Sequence, residues 1–203
     1  MATTRTARRR EETRAKLLAA ARALFAEQGV EVTRINEITD RADVGFGSFY
    51  NHFDSKEAVV EAVIEQAVEE HGSAVDGLTD GLDDPAEVVA IAHRYFVRLA
   101  AADPLWAWLL VRLDASHDVM RRTLGARATR DLAAGIDAGR FRVDDLTTTL
   151  FASGGALLGV MRAVLERTAG PEAEQAHAAG VLRMLGVAPA EAAEVAARPL
   201  PTR

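Results

Sequence analysis

Gly47, Ser48 and Asn51, flanked by Tyr50 and His52, bring a bare backbone, a hydroxyl, an amide, a phenol and an imidazole together within one short stretch. These groups donate and accept hydrogen bonds at short reach, which suits groove edges and phosphate oxygens. Phe49 and Phe53, four apart, fall on the opposite face and anchor such a helix to a core. Lys56 follows Ser55, a good helix cap, so its cation sits in a first helical turn and opposes the helix dipole. A phosphate held by Lys56 and the free amides of that helix start would offset the cost; a solvated lysine is the alternative. Arg34, beside Thr33, is a further candidate contact. Phe46 has two equal options, a thymine methyl or packing against Phe53.

The elements that must position these groups are legible on either side of them. Thr33 reads as an N-cap, and Ile35, Ile38 and Ala42 then share one face of a two-turn helix. Asp43 tolerates the left-handed backbone of a turn, and Gly45 frees the chain to restart at Phe46. Upstream, Leu17, Leu18, Ala21, Leu24 and Phe25 recur at helical spacing between Glu11 and Gln28, and Gly29 supplies the stop. Downstream, Ser55 caps a helix running through Val59, Val60, Val63, Ala67 and Val68 to about His71. The pattern is helix, helix, tight turn, short helix, which is a DNA-reading device.

On Thr33, Ile38, Ala42, Val44, Gly47, Ser48, Phe49, Tyr50, His52, Phe53, Ser55, Lys56 and Glu57, the chain resembles the helix-turn-helix of the TetR family of bacterial transcription regulators. The resemblance covers about residues 11 to 70. Three positions depart from it. Asp43 stands where the family usually has Gly, Gly45 where it has a polar cap, often Ser, and Phe46 where it often has Lys or another polar residue. The first two changes keep turn chemistry; the third leaves the base preference open. The resemblance implies phosphate contacts from Tyr50 and His52, and dimerisation through the last two long helices.

The chain has 203 residues, 49% of them hydrophobic and 5% aromatic, and no Cys, so it forms no disulfide or thiolate metal site. Its net charge of -6 is unevenly divided. Residues 1–56 hold ten Arg or Lys against eight Asp or Glu, and residues 57–203 hold fourteen against twenty-two. That division excludes a nucleic-acid coat and suits DNA contact through the N-terminal part alone. The basic start, with Arg5, Arg8, Arg9 and Arg10, either tracks DNA or solubilises the chain. Glu11, Glu12 and Arg22 break any signal-peptide core, and no segment is expected to reach the roughly 18 apolar residues of a membrane span. A cytoplasmic protein is expected.

Gly72 to Pro85 reads as a loop, followed by helices at about 85–102, 104–116, 118–138, 144–168 and 171–185, punctuated by Pro104, Gly139, Gly170 and Pro171. Residues 188–203, with three prolines, read as a tail with at most a short helix. Tyr95, Phe96, Trp106 and Trp108 place four of eleven aromatics close together, joined by His93, Arg94, Arg112, His117 and Met120. This suits an effector pocket lined by aromatics with polar handles, or an ordinary aromatic core. The segment from Asp144 to Thr168 is apolar nearly all round, so it must be buried twice. One face is expected in the core and the other in a dimer, through Leu150, Gly155, Leu158, Gly159 and Arg162; a central helix of a monomer is the alternative. Ser116, His117 and Asp118 are triad types, but consecutive residues project apart. The glycines of the 144–168 segment lack G-x-G-x-x-G spacing, and the five His lack metal-ligand spacing. No cofactor and no metal are expected.

The expected fold is all-α: a basic flexible arm at 1–10, a three-helix helix-turn-helix DNA-binding domain at 11–56, a helical effector-binding and dimerisation domain at 57–187, and a tail at 188–203. The expected partners are a double-stranded DNA operator, a largely apolar or aromatic small-molecule effector and a second copy of the chain. Together they describe a repressor released by its ligand. A small helical enzyme or carrier using the aromatic pocket is the competing expectation.

Overall fold

The computed structural model describes the backbone of residues 5–112 and 114–201, and their side chains apart from 112–121. Among the described residues every regular element is an α-helix. They are α1 (Arg5–Gln28), α2 (Ile35–Ala42), α3 (Phe46–Phe49), α4 (Lys56–Thr79), α5 (Pro85–Ala102), α6 (Pro104–Arg112), α7 (Asp114–Asp137), α8 (Leu146–Leu165), α9 (Ala173–Met184) and α10 (Pro189–Ala197). The chain forms two compact units, Met1–Ala67 and Val68–Arg203, so the boundary lies inside α4 and not at its start.

In the first unit Leu17, Ala21, Phe25, Ile38 and Phe49 are almost wholly buried, so the stripes of α1, α2 and α3 share one core. The residues expected as a flexible arm are, from Arg5 onward, the opening turns of α1. Arg8 pairs with Glu12 one turn on, at 3.3 Å, and Arg10 reaches the Asn51 carbonyl at 3.3 Å. The N-cap of α2 is Arg34 and not Thr33: the Glu37 carboxylate accepts the Arg34 N–H at 2.7 Å. The Thr33 hydroxyl is turned inward instead and donates to the Gly29 carbonyl at 2.7 Å. Asp43 adopts the left-handed conformation expected of it (φ 54°, ψ 51°), and the Val44 N–H closes the turn on the Thr39 carbonyl at 3.1 Å. Gly45, at φ -64°, is in a region open to any residue, so the restart of the chain does not depend on a glycine there.

Ser55 caps α4, its hydroxyl accepting the Ala58 N–H at 3.2 Å. The helix then runs on to Thr79, so most of the expected loop from Gly72 is helical. A glycine inside a helix costs about 1 kcal/mol relative to Ala. Gly72 has a packing reason: a Cβ there would lie 3.0 Å from the Arg127 guanidinium carbon, so the bare backbone admits that group against α4.

The core of the second unit joins α5, α7, α9 and α10 through Val89, Ala90, Leu132, Leu182, Leu185 and Val195. The expected tail therefore belongs to the fold. Ala192, Val195 and Ala196 are buried, Arg198 pairs with Glu87 at 2.7 Å, and its carbonyl accepts a bond from the buried Arg94. Helix α8 departs from another expectation, since by length and composition alone its 20 residues could cross a membrane.

Candidate functional site

The exposed face of the first unit is built around α3. Phe49 is buried beneath it, ring centroids 5.8 Å from Phe53, while Phe46 and Tyr50 stand out with 53% and 50% of their surface exposed. Phe46 packs edge-on against Tyr50 at 5.7 Å, one turn away, and leaves its outer side to solvent. Gly47 and Asn51 are exposed, and Ser48 is half-buried. A Cβ on Gly47 would meet nothing within 4 Å, so the backbone there is open to a close approach. Thr33 does not belong to this face: only 1% of it is exposed, and its role is to hold the loop before α2.

Lys56 bonds within the unit, its Nζ donating to the Glu31 carbonyl at 3.0 Å. It shares a surface groove with Glu31, Val32, Arg34, Asn36 and Phe46. The cation thus shares the groove with Arg34 and Phe46, with an internal partner that offsets its position at a helix start. His52 is half-buried, and its pKa is lowered, first by burial and then by the positive charges of Arg10 and Arg14. Arg14 itself lies over the Phe53 ring, 5.2 Å from its centroid. An anion arriving near Arg10 would reverse the electrostatic part of the His52 shift.

The second unit holds a cavity of about 450 Å³ with a mostly apolar lining from α4, α5, α7 and α8. Of the residues expected there, His93 and Phe96 line it, whereas Tyr95, Trp106 and Trp108 are not in its wall. Tyr95 and Trp106 belong instead to an aromatic cluster on His71, whose Nδ1 is 2.8 Å from the Tyr95 hydroxyl and whose ring is 6.1 Å from Trp106. Arg112, His117 and Met120 lie outside the described side chains.

The charged groups of the lining were not singled out from the sequence. Asp76 of α4 accepts bonds from Arg127 Nε at 2.7 Å and Arg130 at 2.9 Å, both on α7. Arg127 also takes both oxygens of Glu69, at 2.6 and 3.0 Å, and Arg130 bonds Asp131 at 2.8 Å. Burial works to raise the Asp76 pKa, but the two guanidinium groups prevail and hold it low. On α5, His93 Nδ1 is 3.0 Å from His177 Nε2 of α9. Signals were present: Glu69, Ser73 and Asp76 share one face of α4, and Arg127, Arg130 and Asp131 one face of α7. Their meeting depends on tertiary packing, which no local spacing reports.

Helix α8 divides into two faces. Ser153, Leu157 and Met161 are buried; Phe151, Gly155, Gly159 and Arg162 are exposed, and Leu158 is half-buried. Leu150, expected on the outward face, is partly buried and packs against the core. Phe151, 61% exposed, is the large apolar residue of the outward face. Phe151, Gly155 and Leu158 also border the cavity.

Comparison with known proteins agrees with this arrangement. Residues 17–63 match the family described as bacterial regulatory proteins, tetR family, and residues 84–198 match the tetracyclin repressor-like C-terminal domain. The chain is 43% identical to RolR, solved in complex with resorcinol, over 97% of this chain and 98% of that one, with a TM-score of 0.85. RolR without ligand gives 42% and 0.82, over 93% of this chain and 98% of that one. The HTH-type transcriptional repressor KstR2 of Rhodococcus jostii is 48% identical over 48 residues, and that of Mycobacterium tuberculosis 46%. Those matches span 24% of this chain and about a quarter of each KstR2 repressor, the length of the helix-turn-helix alone.

Proposed function

The chain belongs to the TetR family of bacterial transcription regulators, and from that premise we propose a repressor that binds its operator as a homodimer and is released by a small hydroxylated aromatic ligand. A regulator of this family is a transcription factor, so the competing reading as a small enzyme or carrier is set aside.

On the DNA side, Ser48 and Asn51 are assigned to base edges, with Gly47 allowing the approach and Phe46 offering its exposed ring to a thymine methyl. Tyr50, His52, Arg34 and Lys56 are assigned to phosphates, which fix the register of the helix without carrying sequence information. Two copies would meet a palindrome with half-sites roughly 34 to 36 Å apart. The outward face of α8, through Phe151, Gly155, Leu158, Gly159 and Arg162, is assigned to the dimer. Its apolar surface would be costly in water, and the Arg162–Glu166 pair at 2.9 Å on the same helix makes a membrane a poorer cover than a second copy. A cytoplasmic location follows from this reading.

On the ligand side, the likeness to RolR over nearly the whole chain supports a resorcinol-like guest, a flat apolar ring with hydroxyl groups. The cavity suits it, with its apolar wall and the Asp76, Arg127 and Asp131 group at one part of it. The observation that carries ligand control is that Gly72, Val75 and Asp76 of the cavity wall belong to α4, the helix that begins at Lys56 beside the reading face. A guest that bonds Asp76 or Arg127 competes with the ion pairs holding α4 to α7. It therefore favours a different setting of the helix that leaves the DNA-binding unit. Gel-shift titration of DNA flanking the protein's own gene, with and without resorcinol, tests the proposal. Loss of the shifted band on adding ligand is expected; a band indifferent to ligand, or no band at all, rejects it.

A further inference from the structure

The strongest unassigned feature is a pair of imidazoles side by side, His93 half-buried and His177 buried. His93 forms part of the cavity wall, and His177 is 8% exposed behind it. Their facing nitrogens, His93 Nδ1 and His177 Nε2, are 3.0 Å apart, with ring centroids 5.0 Å apart. A bond of that length needs one N–H and one lone pair, so a single proton lies between the two rings. The other nitrogen of His93, Nε2, points away from His177 because the two ring nitrogens diverge. Whichever ring donates therefore fixes what Nε2 can offer. If His93 Nδ1 carries the proton, Nε2 is an acceptor; if His177 Nε2 carries it, His93 Nε2 is a donor.

We propose that His93 is the specificity-determining residue for a phenolic hydroxyl of the ligand, accepting its hydrogen bond at Nε2, with His177 as the positioning residue whose Nε2 accepts the hydrogen bond from His93 Nδ1–H. This rests on the proposed class of ligand and deepens it. A phenol donates better than it accepts, because its lone pairs are drawn into the ring, so the guest selects the tautomer with Nε2 free. The charged groups of the wall are paired among themselves: Asp76 with Arg127 and Arg130, and Asp131 with Arg130. Burial first and then His177 push the His93 pKa down to about 3, and burial lowers that of His177, so both rings are neutral at neutral pH. A neutral acceptor rewards a neutral hydroxyl and gives nothing to a carboxylate. The guest is thereby read by two chemically different groups on different helices, the charged cluster of α4 and α7 and the neutral imidazole of α5.

The test is calorimetric titration of the full chain with resorcinol and with phenol, which lacks one hydroxyl. In the unaltered protein resorcinol should bind about tenfold more tightly than phenol, the worth of one ordinary hydrogen bond. In His93→Leu that preference should fall to about one, with phenol little changed. A preference that survives in a folded His93→Leu protein overturns the histidine assignment and leaves the ligand class standing. Failure of the unaltered protein to bind either compound overturns both. Nitrogen-detected histidine NMR on the unaltered protein gives an answer that does not depend on the variant folding. With resorcinol bound, the proton of His93 should reside on Nδ1; a proton on Nε2 refutes the proposal.

Discussion

Adding one methyl group at Gly72 tests the coupling between α4 and the cavity. In an open helical position Gly→Ala stabilises by about 1 kcal/mol, because the unfolded chain loses freedom and the helix gains propensity. Here the new Cβ would lie 3.0 Å from both Cζ and Nη1 of Arg127 and 3.1 Å from Leu124 Cδ2, inside the roughly 3.5 to 4.0 Å of a comfortable contact. The guanidinium must give by a few tenths of an ångström, yet it is tied by Nε to Asp76 at 2.7 Å and by its two terminal nitrogens to Glu69 at 3.0 and 2.6 Å. Bonds to charged groups are worth about 1.5 to 3 kcal/mol each, so loosening them removes about 1 to 2 kcal/mol and cancels the gain. Gly72→Ala should therefore be neutral or up to about 1 kcal/mol less stable by denaturant unfolding, and should bind resorcinol about tenfold more weakly by calorimetry. A variant about 1 kcal/mol more stable, with ligand affinity intact, would refute the claim that Arg127 is seated against the bare backbone of α4.

Lys56→Ala should reduce the slope of log K against log salt for operator binding by about 2 per dimer; an unchanged slope would confine Lys56 to its bond with Glu31. Gly159→Arg sets a bulky charge on the outward face of α8, and light scattering should find a helical monomer without operator affinity, whereas a helical dimer with normal affinity would move the interface elsewhere. For the histidine pair, a folded-state pKa below the unfolded value near 6.5 means that the unfolded chain binds more protons. The pair's contribution is complete above that pH and is lost as pH falls below it, by up to about 1.4 kcal/mol per pH unit for each imidazole held neutral. Unfolding between pH 6.5 and 4.5 should show that loss, and His93→Leu should flatten it; Asp76 and Glu69, held low by Arg127, add theirs only below about pH 4.

What the sequence made legible was local. The four-residue spacing of Phe49 and Phe53, the apolar stripe of α1 and the left-handed Asp43 all rest on interactions within a few residues, and the structure has them as expected. The N-cap of α2 falls one residue beyond Thr33, because the deciding bond comes from Glu37 to the Arg34 N–H while the Thr33 hydroxyl donates to the Gly29 carbonyl. Gly72 suggested a loop because its reason for being a glycine, the Arg127 side chain, lies 55 residues away in sequence on another helix. Separations of 51 residues for Asp76–Arg127 and 84 for His93–His177 hid the charged part of the cavity and the histidine pair, and local spacing places Trp106 and Trp108 near a wall that they do not form. Residues 188–203 looked like a tail because alanines and prolines carry little pattern, yet Arg198 ties them to α5 through Glu87 and Arg94.

The central claim, that ligand and operator compete through one two-state protein, is tested most directly by measuring resorcinol affinity twice, on the free dimer and on the dimer saturated with operator DNA. Coupling is reciprocal, so a ligand that lowers operator affinity must itself bind the operator complex more weakly by the same factor, about 5- to 150-fold for a typical coupling. The account predicts that weakening, matched by an equal loss of operator affinity in saturating ligand. Equal ligand affinity for the free and operator-bound protein would contradict it.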